Sequence, residues 1–218
     1  PYKPGIAPIP LPTMTRPTPL ARCAAAASLA LAATATQAMG EDVARRFADD
    51  VVHAGDAGGR AFAVVDKPAA TVWVFDRGGR LVDNSPVLLG QARGDVAPAD
   101  IGTRPLSRVR PHEKVTSAGR YVTEPGRNHR GEDIVWLDYD AALSMHRVRD
   151  VPGERRPERL QSSGTADKRI SFGCINLPAD FYDRVIDPLF GRATGVVYVL
   201  PETQPAVRLF RFLRGPSS

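Results

Sequence analysis

Arg169-Ile170-Ser171-Phe172-Gly173-Cys174-Ile175-Asn176-Leu177-Pro178 joins a cysteine to a small-residue turn and then to a helical pattern. Pro178 suits a first helical position, because its missing N–H would have no intrahelical partner there. Phe181, Val185 and Leu189 recur at steps of four, and Gly191 closes the pattern. The spacing predicts a helix over 178–190. Cys174 is then expected a few residues ahead of a helix N-terminus, where backbone N–H groups and the helix dipole favour a thiolate. The same N–H groups suit an oxyanion formed when that thiolate attacks a carbonyl, and Gly173 leaves room for close approach.

Only one other cysteine exists, Cys23, and it falls in a stretch with the order of an export signal. Arg16 and Arg22 follow Met14, Cys23 to Ala35 is an apolar Ala/Leu run, and Thr36-Gln37-Ala38 offers small residues for a peptidase. Residues 14–38 therefore read as a signal peptide, and 1–13 as a non-native or over-extended segment. Once the signal is removed, Cys174 has no partner for an internal disulfide in an oxidising compartment, which leaves a chemical task or a buried structural thiol. The expected location is outside the cytoplasm, in the periplasm or cell envelope. The run is too short for a comfortable membrane span, so none is expected in the mature chain.

Lys3, Arg16 and Arg22 are the only charges of 1–38, so their loss takes the formal net charge from +5 to +2. No basic stripe interleaved with aromatics appears, and nucleic acid is set aside as a partner. No metal or cofactor signature appears: there is no HExxH, no CxxC, no acidic calcium loop and no phosphate-cradling glycine loop.

A thiol nucleophile needs a base, and the chain has four histidines. His53 lies in a helical region, with Val43, Phe47 and Val51 at steps of four within 39–59. His112 and His129 sit among Arg, Pro and Gly. His146 ends an apolar run, Ala141-Ala142-Leu143-Ser144-Met145, and opens the polar stretch 150–168 that returns to Cys174. A strand end facing a loop displays catalytic side chains well, which makes His146 the candidate. Elsewhere the pattern is β: Ala61–Val65, Thr71–Phe75 and Leu81–Leu89 form a hairpin series, followed by Val115–Thr123 broken at Gly119, Ile134–Tyr139, Ala142–Val148 and Val196–Leu200. Gln91 to Arg110 reads as loop, and Arg155, Arg156 and Arg159 as a solvated loop face.

The strand-end histidine, the loop and the Ser-x-Gly-Cys-aliphatic-Asn run together resemble the catalytic signature of the L,D-transpeptidases, the YkuD-type domain. The resemblance spans roughly 60–201. It takes in Phe62–Lys67 through Val87–Gly90, the segment Thr116-Ser117-Ala118-Gly119-Arg120-Tyr121, and Gly195–Leu200. It implies a mainly β fold, an antiparallel β-sandwich or flattened barrel with a few short helices, followed by a tail over 202–218. It also implies Cys174 as nucleophile, His146 as its base, Gly173 and Cys174 as oxyanion donors, and Ser171 and Asn176 as shapers of the turn. In that family the group orienting the histidine is often a backbone carbonyl. Two features depart from the pattern: Phe172 stands where a second histidine is usual, and the interval from His146 to Cys174 is longer.

The implied activity is acyl transfer on peptidoglycan stem peptides, with a thioester intermediate and an amine acceptor: a second stem peptide, a D-amino acid or a protein. Arg169 and Arg120 are candidate partners of a substrate carboxylate, since a guanidinium forks onto that group. Three other readings stay open on sequence: a Cys/His peptide or amide hydrolase (an L,D-carboxypeptidase among them), a non-catalytic wall-binding module, and a buried structural cysteine.

Overall fold

The computed structural model describes residues 40–214, so the readings made for 1–13 and 14–38 lie outside the described residues. Eleven strands are present in this region. Phe62–Asp66 (β1), Thr71–Phe75 (β2) and Leu81–Pro86 (β3) form the expected antiparallel series, with turns at 67–70 and 76–80. Leu89–Gly90 (β4), Gly119–Val122 (β5), Glu124–Arg127 (β6), Asp133–Asp138 (β7) and Leu143–Arg147 (β8) follow. Arg169–Ser171 (β9), Ile175–Leu177 (β10) and Val196–Val199 (β11) complete the set.

One sheet has the order β3-β2-β1-β11-β5 and a second has β10-β8-β7-β6, while β4 and β9 pair separately. Neither large sheet closes on itself, so the architecture is the sandwich and not the barrel. Most pairs are antiparallel, but β1–β11, β10–β8 and β4–β9 are parallel. The predicted strand 115–123 is divided: Val115 makes a lone bridge to Ala92, and the ladder begins at Gly119.

The three central strands of the first sheet, β2, β1 and β11, are buried on both faces, which explains their near-continuous apolar sequences. Ala63, Val65, Val72, Val74, Val197 and Val199 face the second sheet, through Val135, Leu137, Leu143, Met145, Ile175 and Leu177. Phe62, Val64, Trp73, Phe75, Val196 and Tyr198 face the helix at 40–54 (α1) and the C-terminal segment. A side chain of this size contributes roughly 1.5–3 kcal/mol when fully buried. Ala44, Phe47, Ala48 and Val51 form the buried stripe of α1, whereas Val43 is 41% exposed. Phe47 and Val51 lie on the buried stripe as read, and Ala44 takes the place expected of Val43. Phe210 and Phe212 pack edge-on against Phe47, which docks the tail onto the same layer.

β6 was not expected, because Pro125 and Gly126 lie inside it. It sits at the edge of its sheet, where a missing N–H is tolerated. Gly126 lies under Trp136, whose ring atoms would be 2.3 Å from any added Cβ. The long stretch 150–168 also contains structure: Arg156–Gln161 is a helix (α2) anchored by buried Leu160. The predicted C-terminal helix (α3) is present, with a first turn at Ala179–Phe181 and wider π-type winding over Tyr182–Gly191. No helix of the described residues is long and apolar enough to cross a membrane.

Candidate active site

Cys174 occupies the turn between β9 and β10. The helix begins where expected, a few residues on, but the strand between them corrects the expected support from its N-terminus. The three residues of β10 and Pro178 intervene, so α3 begins roughly 16 Å along the chain and its dipole falls off too soon to support the thiolate. The turn is held from within by Ser171, whose hydroxyl donates to the Cys174 carbonyl at 2.6 Å and accepts from the Gly173 amide at 3.1 Å. The Gly173 amide is thereby engaged, which leaves the Cys174 amide as the donor of this turn nearest the thiol. Gly173 has φ +140°, and an added Cβ would lie 2.9 Å from the Val115 carbonyl oxygen. Both its conformation and its surroundings demand glycine.

His146, on β8, is paired across the parallel ladder with Asn176 on β10. Its Nδ1 lies 2.8 Å from the Arg147 carbonyl oxygen. A carbonyl only accepts, so Nδ1 carries the proton and Nε2 of the neutral ring carries the lone pair. Nε2 faces Asn176 Nδ2 at 3.3 Å. The Asn176 amide is oriented in turn by Arg156, whose Nη1 donates to Asn176 Oδ1 at 2.9 Å; a guanidinium has no acceptor, so the oxygen must face it. The network thus selects, for the neutral ring, the tautomer with its lone pair at Nε2, the one required of a general base.

Burial of Cys174 works against its ionisation, but the hydrogen bond and charge of His146, with help from the Ser144 hydroxyl and amide, outweigh it and hold the thiol at about 7. Ser144 Oγ is 3.5 Å from Sγ, and Sγ is 3.4 Å from the Ala142 carbonyl. A thiol at this level is substantially ionised near neutrality, as a nucleophile needs.

These groups line a cavity of about 600 Å³. The lining divides by chemistry. Ile101, Leu106, Val109, Ile134 and Trp136 are apolar, and His129, Arg130, Arg149 and Arg156 are basic. The segment read as loop between Gln91 and Arg110 supplies three of the apolar contacts, the last two from a 3₁₀ turn at Leu106–Arg108 and the residue after it. Phe172 also lines the cavity, with Lys114 Nζ 3.8 Å from its ring centroid. This is a cation–π contact in place of any proton-transfer role.

Cys174, His146, Ser171, Asn176 and Phe172 are therefore brought together as expected, and Gly173 sits in the turn beside them. Arg169 and Arg120 are not. Arg169 is nearly buried, bound to Glu202 at 2.7 Å and to the Lys67 carbonyl at 2.9 Å. Arg120 pairs with Asp56 at 2.6 Å on the α1 side of the first sheet. Both guanidiniums are committed to partners within the fold. Arg156, read as solvated, is the opposite case: its side chain is only 11% exposed and it lies in the cavity. Its sequence signal was Pro157, which marks the start of a helix in an otherwise polar stretch. His53 and His112 are exposed and away from the cavity lining.

No family model matches the chain, and no curated protein matches it. Among solved structures it is similar to an L,D-transpeptidase from Mycobacterium smegmatis, at 19% identity and a TM-score of 0.37. It is similar also to the LD transpeptidase LdtMt1 in complex with imipenem, at 17% identity and a TM-score of 0.34. Each likeness covers 64% of this chain, which spans 58% of the length of each of those chains.

Proposed function

We propose that this chain is a cysteine acyltransferase of the L,D-transpeptidase kind, acting on peptidoglycan stem peptides. The observation that carries the reading is the Cys174 thiol, held at about 7 by His146 inside a cavity large enough for a peptide segment. The sequence resemblance supplies the substrate class.

In this reading His146 Nε2 takes the proton of Cys174. The thiolate adds to the carbonyl of the amide between the L-centre of meso-diaminopimelate and the terminal D-alanine of a tetrapeptide stem. Negative charge develops on the carbonyl oxygen, where the Cys174 amide donates. The C–N bond breaks as His146 returns its proton to the departing D-alanine nitrogen, and a thioester remains. An acceptor amine then attacks the thioester, His146 removes the proton lost by that amine, and the thiol is regenerated. Cysteine suits this sequence because a thioester is reactive toward amines and divides one amide exchange into two easier steps.

The test is mass spectrometry of the protein incubated with disaccharide-tetrapeptide, beside Cys174→Ala. Loss of D-alanine with dimers, or exchange of an added D-amino acid, supports transpeptidation. Tripeptide alone, indifferent to added amine, makes the chain a carboxypeptidase. An untouched substrate with no adduct on Cys174 removes the enzymatic reading.

A further inference from the structure

Asn176 is completely buried, and its backbone has no freedom. β10 pairs with β8 on one side, and on the other the Asn176 amide and carbonyl both bond to Leu88 at 2.9 Å. Only the side-chain amide can turn over. Its two faces are chemically opposite: with NH2 toward His146 it favours a neutral ring, and with oxygen toward His146 it would accept from a protonated Nε2. Two bonds favour the first orientation: Arg156 donates to Oδ1 at 2.9 Å, and Nδ2 donates to the Cys174 carbonyl at a longer 3.3 Å, so the charge-assisted bond from Arg156 is the stronger determinant.

We infer that Arg156 is a positioning residue that sets the protonation preference of His146 through the Asn176 amide. Glu154 holds the guanidinium from the other side, and the α2 segment delivers it, so the long interval between β8 and β9 has a task at the reacting pair. With Oδ1 occupied by Arg156, the amide presents to Nε2 a donor where an imidazolium needs an acceptor, which holds back the thiolate–imidazolium pair. With Arg156 removed, only the longer bond from Nδ2 to the Cys174 carbonyl opposes rotation of the amide, so Oδ1 can turn to accept from the imidazolium and the thiolate–imidazolium pair gains population. This rests on the reading of Cys174 and His146 as nucleophile and base, and on nothing about the acyl donor.

Other charged groups lie around His146. Arg147 follows it on β8. His129, Arg130 and Glu132 come from the β6–β7 turn, and Arg149 and Asp150 from the start of the long interval. Glu132 feels the charge of His146 and pairs with Arg149 at 2.5 Å. None of these loses a partner on substitution of Arg156, but Glu154 does, and because the Asn176→Ala background carries that same change, the double variant isolates the amide.

The experiment is the rate of Cys174 alkylation by iodoacetamide against pH, for wild type, Arg156→Met, Arg156→Lys, Asn176→Ala and the Arg156→Met/Asn176→Ala double variant. Thermal unfolding monitors the fold of each. Arg156→Met is expected to move the midpoint of the profile to lower pH by about one unit, a tenfold gain in thiolate on the acid limb. Arg156→Lys, still a donor without an acceptor, keeps the wild-type midpoint. In the Asn176→Ala background the Arg156→Met shift disappears. Loss of a nearby cation acting directly on the thiolate predicts the opposite sign, so a midpoint that moves to higher pH overturns the inference. So does an acid shift that persists without Asn176. An unmoved midpoint in a wild-type-like reactive protein ends this inference alone, whereas a wild-type thiol that reacts only at strongly alkaline pH ends the nucleophile reading beneath it.

Discussion

Thr116 Oγ1 donates to the Gly173 carbonyl at 2.7 Å while accepting from the Gly90 amide at 2.8 Å. One fully buried hydroxyl thus joins the cysteine turn to β4. Its own backbone carbonyl accepts from the buried Lys67 ammonium at 3.1 Å. The turn that presents the thiol is therefore braced from outside by Thr116 and from inside by Ser171.

Thr116→Val keeps the shape of the side chain and removes both bonds. Two buried backbone groups are left without partners, each at a cost of about 1–3 kcal/mol. Denaturant unfolding should register a loss of about 2 kcal/mol or more, and alkylation of Cys174 should slow as the turn shifts. Unchanged stability would mean that the brace is dispensable.

The reactivity of the thiol has a definite pH signature. With the thiol held at about 7 by His146, alkylation should rise about tenfold per pH unit below neutrality and level off above pH 8. His146→Ala removes the main favourable contribution and leaves the burial that opposes ionisation. The midpoint should then return to at least the ordinary thiol value of about 8.5, and the rate at pH 6 should fall about thirtyfold or more. A midpoint that stays near 7 in the variant would assign the activation to another group.

What the sequence makes legible follows from how local each signal is. Cys174, Ser171 and Asn176 lie within six residues, and His146 sits at the end of an apolar alternation, so their roles are written in short spacings. Arg156 is twenty residues from Asn176, and only the folding back of the stretch between β8 and β9 brings the two together. The pairing of Arg169 with Glu202 spans thirty-three residues and turns an apparent substrate ligand into a strut. The apolar strands of the first sheet are readable because both faces are buried. β6 is not readable, because an edge position excuses Pro125 and the ring of Trp136 requires Gly126. The helix start at Pro178 is readable, but the strand before it is not: Ile175 to Leu177 is too short a run to announce itself, yet it separates Cys174 from α3.

Gly173→Ala tests the backbone conformation of the turn. At φ +140° an L side chain is strained, and the Val115 carbonyl oxygen occupies the space beside the new methyl. The strain should lower stability by about 1–3 kcal/mol. Because the displaced atoms adjoin Cys174, turnover of the stem peptide should fall more steeply than stability does. A variant with wild-type turnover would show that the turn relaxes without moving the thiol.

Acid should weaken the fold through Asp95. Asp95 accepts from Lys67 Nζ at 2.9 Å, from the Glu202 and Thr203 amides at 2.7 and 2.9 Å, and from the Thr203 hydroxyl. Burial opposes its charge, but these donors prevail and hold the carboxyl far below the usual carboxylate range. A carboxylate depressed in the folded state stabilises the fold above its unfolded pKa of about 3.9, and that contribution is lost as the pH falls toward the native value. Wild-type stability should therefore decline below about pH 4. Asp95→Asn leaves the buried ammonium of Lys67 with its carbonyl acceptors but, for charge, with the more distant carboxylate of Glu202, at 3.8 Å. At pH 7 the variant should be less stable by about 3 kcal/mol, the usual consequence of leaving one member of a buried pair uncompensated. The gap between the two proteins should narrow on acidification, since only the wild type has a charge at this position to lose. Denaturant midpoints measured from pH 7 down to pH 2.5 read this directly, and a gap that stays constant with pH would assign the loss to the altered hydrogen bonds and not to the charge.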